Sequence, residues 1–337
     1  MSHAWLRRWQ SLRRRRLLAL LIGLAIAAAV VWVSHPASIW HSLQEVDTMP
    51  ILVALLLNIP IVALRAIRAQ VILGFLGHRV SFRSMVPVQL VGQTSSTITP
   101  AASGDYVRAY IWRRTHTIPV RDGAAVVTFE RVYSLYLLVA VALLLIILPR
   151  HGFIGWVGVA AGLIAATMAP VVVELMAPPA LERWALTRIT SGRFLSRFAE
   201  GAFEMVDNLR NLLRSPVLLA ETSAITLVIF AVSAFQLLLL LDSLGDTIRI
   251  TQAVAVYATS QVGGILSTLP FGLGASDAIL VTVLAGYSVS VADSASAAVL
   301  ARAVSTLPLA LAGLIAYMRL DGQASSDPAP VATSEGE

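Results

Sequence analysis

The sequence predicts an all-α polytopic membrane protein: six full transmembrane helices and two re-entrant broken-helix hairpins, built as an inverted repeat with both termini in the cytoplasm. Three observations predict it. Apolar residues make up 57% of the 337 positions and charged residues only 13%, with a mean hydropathy of +0.77, whereas a soluble domain carries ~25% charged residues. Apolar runs long enough to cross a hydrocarbon core, which needs ~20 helical residues, recur along the chain. Between them lie two polar, interrupted stretches, GQTSSTITPAASGDYVR at 92–108 and one centred on GGILSTLPFGLGASD at 263–277.

The first 16 residues form a basic cytoplasmic N-terminus, with Arg7, Arg8 and the run Arg13 to Arg16, ahead of an apolar segment at 17–33. That core is long and no A-x-A-like site follows it, so it reads as an uncleaved first helix rather than a signal peptide. A second helix at 49–73 carries Arg65 and Arg68 towards its end, expected to snorkel to the interface. Residues 84–111 follow as the first hairpin. About fifteen residues separate Ser84 from Pro100, too few for a ~20-residue crossing, and Pro100 with Gly104 disfavours one continuous helix. Irregular backbone at membrane depth is tolerated only beside protein or a wet cavity, because each unsatisfied amide in lipid costs several kcal/mol. The break is therefore a candidate site.

Helices are expected at 123–149 and 153–173, then a cytoplasmic segment at 178–215. There Phe194, Phe198, Met205, Leu209 and Leu212 fall at helical spacing, opposed by Arg193, Arg197, Asp207, Arg210 and Arg214. This is an amphipathic helix that lies on the anionic leaflet or packs on the protein's own loops. A helix at 217–241, the second broken stretch at 252–286 and a last helix at 294–318 complete the membrane domain, residues 17–318. The tail at 319–337 is rich in Ala, Ser, Pro and acid and is expected to be disordered.

Arginine placement supports this order by the positive-inside rule. On the cytoplasmic side fall the N-terminal cluster, Arg65 to Arg83, Arg108 to Arg121, Arg183 to Arg214, and Arg319; Arg150 and Arg249 fall outside. Three crossings separate the hairpins, so they enter from opposite faces. The net charge of +6 thus reads as topology, not as nucleic-acid binding.

The broken stretches resemble each other. Pro100-x3-Gly104 precedes Asp105 and, further on, Arg131; Pro270-x3-Gly274 precedes Asp277 and, at nearly the same distance, Arg302. Inverted repeats with broken helices are a recurring plan of secondary transporters, with the site at the repeat interface. Arg131 and Arg302 each lie about eight residues into a helix, roughly 12 Å deep, where an arginine costs roughly 2.5–3.5 kcal/mol. The expectation is that Arg131 and Arg302, together with Arg108, face a shared polar cavity and attract a lipid phosphate, since guanidinium forks match phosphate oxygens. Asp105, Glu130 and Asp277 would hold the arginines or bind a cationic head group, and the half-helix N-termini would add donors. The alternative is that the charges only staple helices through buried pairs.

The run ITPAASGDYVRAYIWRRTHTIPVRDGAAVVTFERV is similar to the first-half signature of the transmembrane region of lysylphosphatidylglycerol synthases and their stand-alone relatives. LPFGLGASDAILVTVLAGYS followed by Arg302 resembles the second-half signature, with Asp277 where a Glu is usual. The resemblance spans residues 50–318. In two-domain relatives this region resembles a lipid flippase, and a separate portion makes the aminoacylated lipid. No acyltransferase-like domain follows here before Glu337, so the resemblance implies translocation without synthesis, in a bacterial-type cytoplasmic (inner) membrane, and leaves the lipid open.

Other chemistry finds little footing. The chain has no Cys, and all 25 basic residues are Arg, which excludes thiolate chemistry, a Walker A lysine and a Schiff base. The six histidines lack zincin spacing, and Gly263-Gly264 follows no βαβ pattern, so close helix packing is the expected role. No cofactor is expected and no catalytic constellation is present. Expected partners are membrane lipids, either a phospholipid or a polyprenyl-phosphate lipid. A second reading is an accessory protein of a lipid-linked glycosyltransferase or an envelope lipid-modifying enzyme.

Overall fold

A computed structural model describes Gln44 and residues 46–147, 152–176, 199–267 and 274–326. The described chain is all-helical. Its elements are α1 Thr48–Leu56, α2 Asn58–Phe75, α3 Phe82–Ile98, a 3-10 segment Pro100–Tyr106, α4 Val107–His116, α5 Val120–Ile147 and α6 Gly152–Met176. Then come α7 Ala199–Arg214, α8 Pro216–Asp242, α9 Ile250–Leu266, α10 Ala275–Gly286, α11 Val291–Ala301, a π-helical segment Arg302–Thr306 and α12 Leu307–Ser326. Among the described residues, five helical stretches are long and apolar enough to cross a membrane: Thr48–Phe75, Val120–Leu145, Gly155–Val172, Pro216–Asp242 and Val291–Leu320. The predicted first helix at 17–33 lies outside the described residues. The last helix runs to Ser326, so residues 319–326 of the expected disordered tail are helical, and 327–337 lie outside the described residues.

The first interruption follows directly from its residues. Thr99 is extended (φ −101°, ψ 144°), the conformation that a residue before proline favours, so α3 stops at Ile98. Its hydroxyl donates to the Ser95 carbonyl at 2.9 Å and accepts from the Gly104 N–H at 2.6 Å, satisfying backbone groups that the break would orphan. A Cβ on Gly104 would stand 2.2 Å from the Ser95 carbonyl oxygen, so only glycine allows this approach. Gly104→Ala should therefore lower unfolding stability by about 1–3 kcal/mol through forced backbone shifts. Gly74→Ala, where a Cβ meets nothing within 4 Å, should be neutral or stabilising. Thermal unfolding of the two variants in detergent checks the contrast.

The second interruption separates α9 from α10; Pro270 sits at 268–273, outside the described residues. Gly274 opens α10 at φ +81°, a left-handed conformation that glycine adopts without strain. The Asp277 carboxylate accepts the Gly274 N–H at 3.1 Å, capping α10. Gly263 allows α9 and α10 to pack closely, since a Cβ there would lie 1.9 Å from Ile279 Cδ1. Close packing is thus the role of this glycine, as its sequence setting suggested.

The two halves interlock. The first interrupted hairpin packs through α3 on α12, the last part of the helical stretch that follows the second hairpin; the second packs through α9 on α5, the helix that follows the first. Helix α8 runs beside α1, α2, α9 and α11. Small residues, Ala66 and Ala69 of α2 and Ala253, Ala255 and Ala258 of α9, are fully or almost fully buried, while Leu52, Ile59, Ile164, Leu307 and Leu311 are exposed. Helix association without a hydrophobic driving force relies on such close contact.

Two local features open the bundle's interior to polar groups. Pro60 removes an N–H near the start of α2, and the chain turns at Leu57 between α1 and α2. The Asn58 amide donates to the Leu55 carbonyl at 2.9 Å and to the Val304 carbonyl, inside the π-helical segment, at 2.8 Å. Ser305 donates to Gln236 Oε1 at 3.0 Å, and Gln236 in turn donates to the Ala54 carbonyl at 2.6 Å.

In its described part, the amphipathic segment is α7. Leu212 is fully buried and Leu209 packs on the same core as Trp112, Phe129 and Leu219. Asn208 donates to Asp122 Oδ1 at 2.8 Å, and Arg121 pairs with Glu204. Of the two placements open to this helix, residues 199–214 take the one against the protein itself. Phe194, Phe198, Arg193 and Arg197 lie outside the described residues.

In the loop before α9, burial pushes the Asp246 carboxyl above its usual range, and the neighbouring Asp293 at the start of α11 pushes it further. A carboxyl with a raised folded-state pKa stabilises the fold below its unfolded value of ~3.9 and loses that contribution as pH rises through the folded pKa. Melting temperature should thus fall as pH climbs from about 4 through that window. Asp246→Asn should flatten this part of the curve, which a pH series of thermal melts reads directly.

Candidate functional site

Between the interrupted hairpins lies a polar cavity of about 330 Å³. Gln93, Ser96 and Thr97 of α3, with Thr99 at the break, form one side. Tyr257, Ser260 and Gln261 of α9 and Ser276 and Asp277 of α10 form another. Arg65 of α2, Gln236 of α8, and Arg302, Ser305 and Thr306 of the π-helical segment complete the polar lining. Ile61, Leu237, Leu240, Leu280 and Leu309 supply an apolar part. A water-accommodating volume with many hydroxyl and amide groups suits a polar molecule or head group.

Asp277 and Arg302, two of the residues that the sequence picked out, meet in this cavity. Arg302 donates through Nε to Asp277 Oδ1 at 3.2 Å, and through Nη2 to Oδ1 at 3.0 Å, to Oδ2 at 3.1 Å and to Ser276 Oγ at 2.8 Å. The fork is held by a carboxylate that also caps α10, so the guanidinium is fixed at a helix N-terminus. Both side chains keep partial exposure, 27% for Arg302 and 17% for Asp277.

Asp105, Arg108, Glu130 and Arg131 come together elsewhere and are not among the residues lining the cavity. Arg108, only 1% exposed, lies 2.7 Å through Nε from Asp105 Oδ1 and 2.8 Å through Nη1 from Glu130 Oε2, and donates to Gln89 Oε1 at 2.7 Å. Its guanidinium stands 5.4 Å from the Trp112 ring centroid, one turn on. Arg131 reaches Asp105 Oδ2 at 3.0 Å. Glu130 turns from its neighbour Arg131 and pairs with Arg108 and Arg68, as the 100° step between adjacent helical residues requires. Geometrically this is a staple joining α2, α3, the 3-10 segment, α4 and α5.

The two sites share one motif. Asp105 beside the first break bridges to Arg131 at 3.0 Å, and Asp277 beside the second bridges to Arg302 at 3.0 Å. The spacing that marked the repeat in the sequence therefore corresponds to the same contact in each half. Only the second half's pair opens into the cavity.

Arg65 and Arg68 do not reach for an interface. Arg68 donates to Glu130 Oε1 at 3.1 Å, Ser134 Oγ at 2.8 Å and Thr226 Oγ1 at 2.9 Å, while Arg65 donates to Gln93 Oε1 at the cavity wall. Arg65 sits ten residues before Phe75, roughly 15 Å along the axis, too far for a side chain to leave the bundle easily. That depth was readable in the sequence. So was Gln236, the amide just before the apolar run 237–241.

Residues 20–313 match the family described as the lysylphosphatidylglycerol synthase TM region. The chain belongs to this family. It is 24% identical over 326 residues to a UPF0104 membrane protein of Methanothermobacter thermautotrophicus, covering 90% of this chain and 95% of that one. A second UPF0104 membrane protein, from Methanocaldococcus jannaschii, is 21% identical over 293 residues, 81% of this chain and 86% of the other. The glycosyltransferase AglD of Haloferax volcanii is 30% identical over 123 residues, 36% of this chain and 20% of AglD. Like its relatives named as membrane proteins, this lysylphosphatidylglycerol synthase TM-region protein is an integral, multi-pass membrane protein.

Proposed function

We propose that this protein moves a phosphate-bearing lipid between leaflets of a cytoplasmic (inner) membrane, its head group passing through the polar cavity while its chains stay in the surrounding lipid. In this reading six helices cross fully, the α3–α4 and α9–α10 hairpins re-enter from opposite faces, and both termini are cytoplasmic. The observation that carries it is the cavity itself, lined from both interruptions and holding Arg65 and the Asp277–Arg302 fork. A zwitterionic or anionic head group crosses pure lipid slowly because its charge must be desolvated. Hydroxyls, amides and guanidinium groups along a hydrated path replace that lost solvation. Such exchange requires no nucleotide.

Reconstitution into liposomes with labelled phospholipids and polyprenyl-phosphate lipids tests the proposal. Leaflet exchange well above protein-free vesicles is expected for at least one lipid; no acceleration across the panel would remove the reading. A second reading, favoured by the partial match to AglD, is an accessory of a lipid-linked glycosyltransferase. Activity in liposomes containing this protein alone separates the two. Deleting α7 does not, because Leu212 is part of the core and its loss would unfold the bundle.

A further inference from the structure

We infer that Arg65 is the anchor for a single phosphodiester negative charge, and that the head group beyond that phosphate is uncharged and hydroxyl-bearing. The inference rests on the translocation reading and narrows its substrate. Among the described residues lining the cavity, the ionised side chains are Arg65, Arg302 and Asp277. The Asp277 carboxylate receives the Arg302 fork and the Gly274 N–H. Arg65 has Gln93 Oε1 as its hydrogen-bond acceptor and no carboxylate partner among the described residues, whereas Arg68, one turn along the same helix, has Glu130. Residues 268–273, TLPFGL, contain no ionisable side chain. Among the described residues, one positive charge of the lining therefore has no carboxylate in contact, Asp105 and Glu130 acting on it only at longer range, enough for one diester and not for a dianionic monoester.

The remaining polar lining is neutral: Gln93, Thr97, Gln236, Ser260, Gln261 and Ser305 among others. Such groups both donate to and accept from hydroxyls. An ammonium head group would need a carboxylate, and the one in this lining already holds an arginine. Glycerol or sugar hydroxyls fit, so the shared chemistry covers both a diacyl phosphatidylglycerol and a hexosyl phosphopolyprenol.

The experiment uses full-length protein in liposomes with four acyl- or prenyl-labelled probes: phosphatidylglycerol, a short-chain hexosyl phosphopolyprenol, phosphatidylethanolamine and lysylphosphatidylglycerol. One or both of the first two should exchange at least about tenfold faster than the ammonium-bearing pair, and whichever moves identifies the source of the phosphodiester. Equal or faster exchange of the ammonium lipids would overturn the head-group assignment while leaving translocation standing. Exchange of none would instead remove the translocation reading. Arg65→Gln should lower the favoured lipid's rate by about tenfold, the loss of one charge-assisted contact, with a melting temperature unchanged or raised because an unmatched cation has gone. An unchanged rate would overturn the role of Arg65. Should Arg65→Gln fail to fold, Arg65→Lys, which keeps the charge, should retain the preference for uncharged head groups; loss of that preference would overturn the anchor.

Discussion

Arg108→Ala should destabilise the protein by roughly 3–5 kcal/mol, the cost of breaking a buried ion pair by removing one partner. Arg108 is 1% exposed and sits between Asp105 and Glu130, so its loss leaves two carboxylates short of their shared cation inside the bundle. The native state holds only a small margin over unfolding, and a change of this size consumes much of it. The expected result is a large drop in melting temperature in detergent and poor recovery of folded protein. Neutralising the facing carboxylate at the same time, as in Arg108→Met with Glu130→Gln, should restore part of the loss, since replacing both partners avoids an orphaned charge. A melting temperature of Arg108→Ala equal to that of the unaltered protein would show that the staple contributes nothing.

Arg302→Ala should have the opposite profile, a large loss of lipid exchange with a smaller loss of stability. Its guanidinium and its partner Asp277 are both partly exposed to the cavity, and Asp277 keeps the Gly274 N–H when the arginine is gone. The stability cost should be about 1–2 kcal/mol, in the range of a hydrogen bond to a charged group. Exchange should fall about tenfold or more, because the cavity loses its fixed fork and Asp277 becomes an uncompensated negative charge beside the path of an anionic phosphate. Arg131→Ala, removing the corresponding residue of the first half, should leave exchange nearly unchanged. Liposome exchange and detergent melts on both variants read this out. Equal loss of exchange in the two would mean that the Asp105–Arg131 pair also faces the lipid's path.

Much of this architecture was legible because it depends on local chemistry. Pro100 and Gly104 mark the first break by removing an N–H and a Cβ, and the structure uses both properties there. The Asp–Arg pairing in each half was readable because an acid soon after the glycine and an arginine at nearly the same distance beyond it recur in both halves. The cavity's actual lining was less legible. Periodicity says which residues share a helix face but not which neighbouring helix that face meets, so Glu130 could not be assigned to Arg108 and Arg68. For the same reason the sequence groups Arg108 and Arg131 with Arg302, although the first half buries Arg108 and Glu130 in the helix packing and keeps Arg131, itself partly exposed, off the cavity lining, whereas Arg302 faces the cavity. Arg65 stands towards the end of its helix, which favours snorkelling, but its partner Gln93 and its place in the cavity wall come from the packing of α3 on α2, which no single-helix pattern reveals. Pro270 and the helix at 17–33 lie outside the described residues.

The chain contains no cysteine, so a single engineered thiol reports on one position without background. Thr97, on the cavity wall beside the first interruption, is the informative place. Thr97→Cys protein in liposomes should exchange lipid normally. Modification with a membrane-impermeant, negatively charged thiol reagent should then stop exchange, and lipid present in excess should slow the modification. Complete modification, verified by mass, with exchange continuing at its original rate would contradict a lipid path through the cavity.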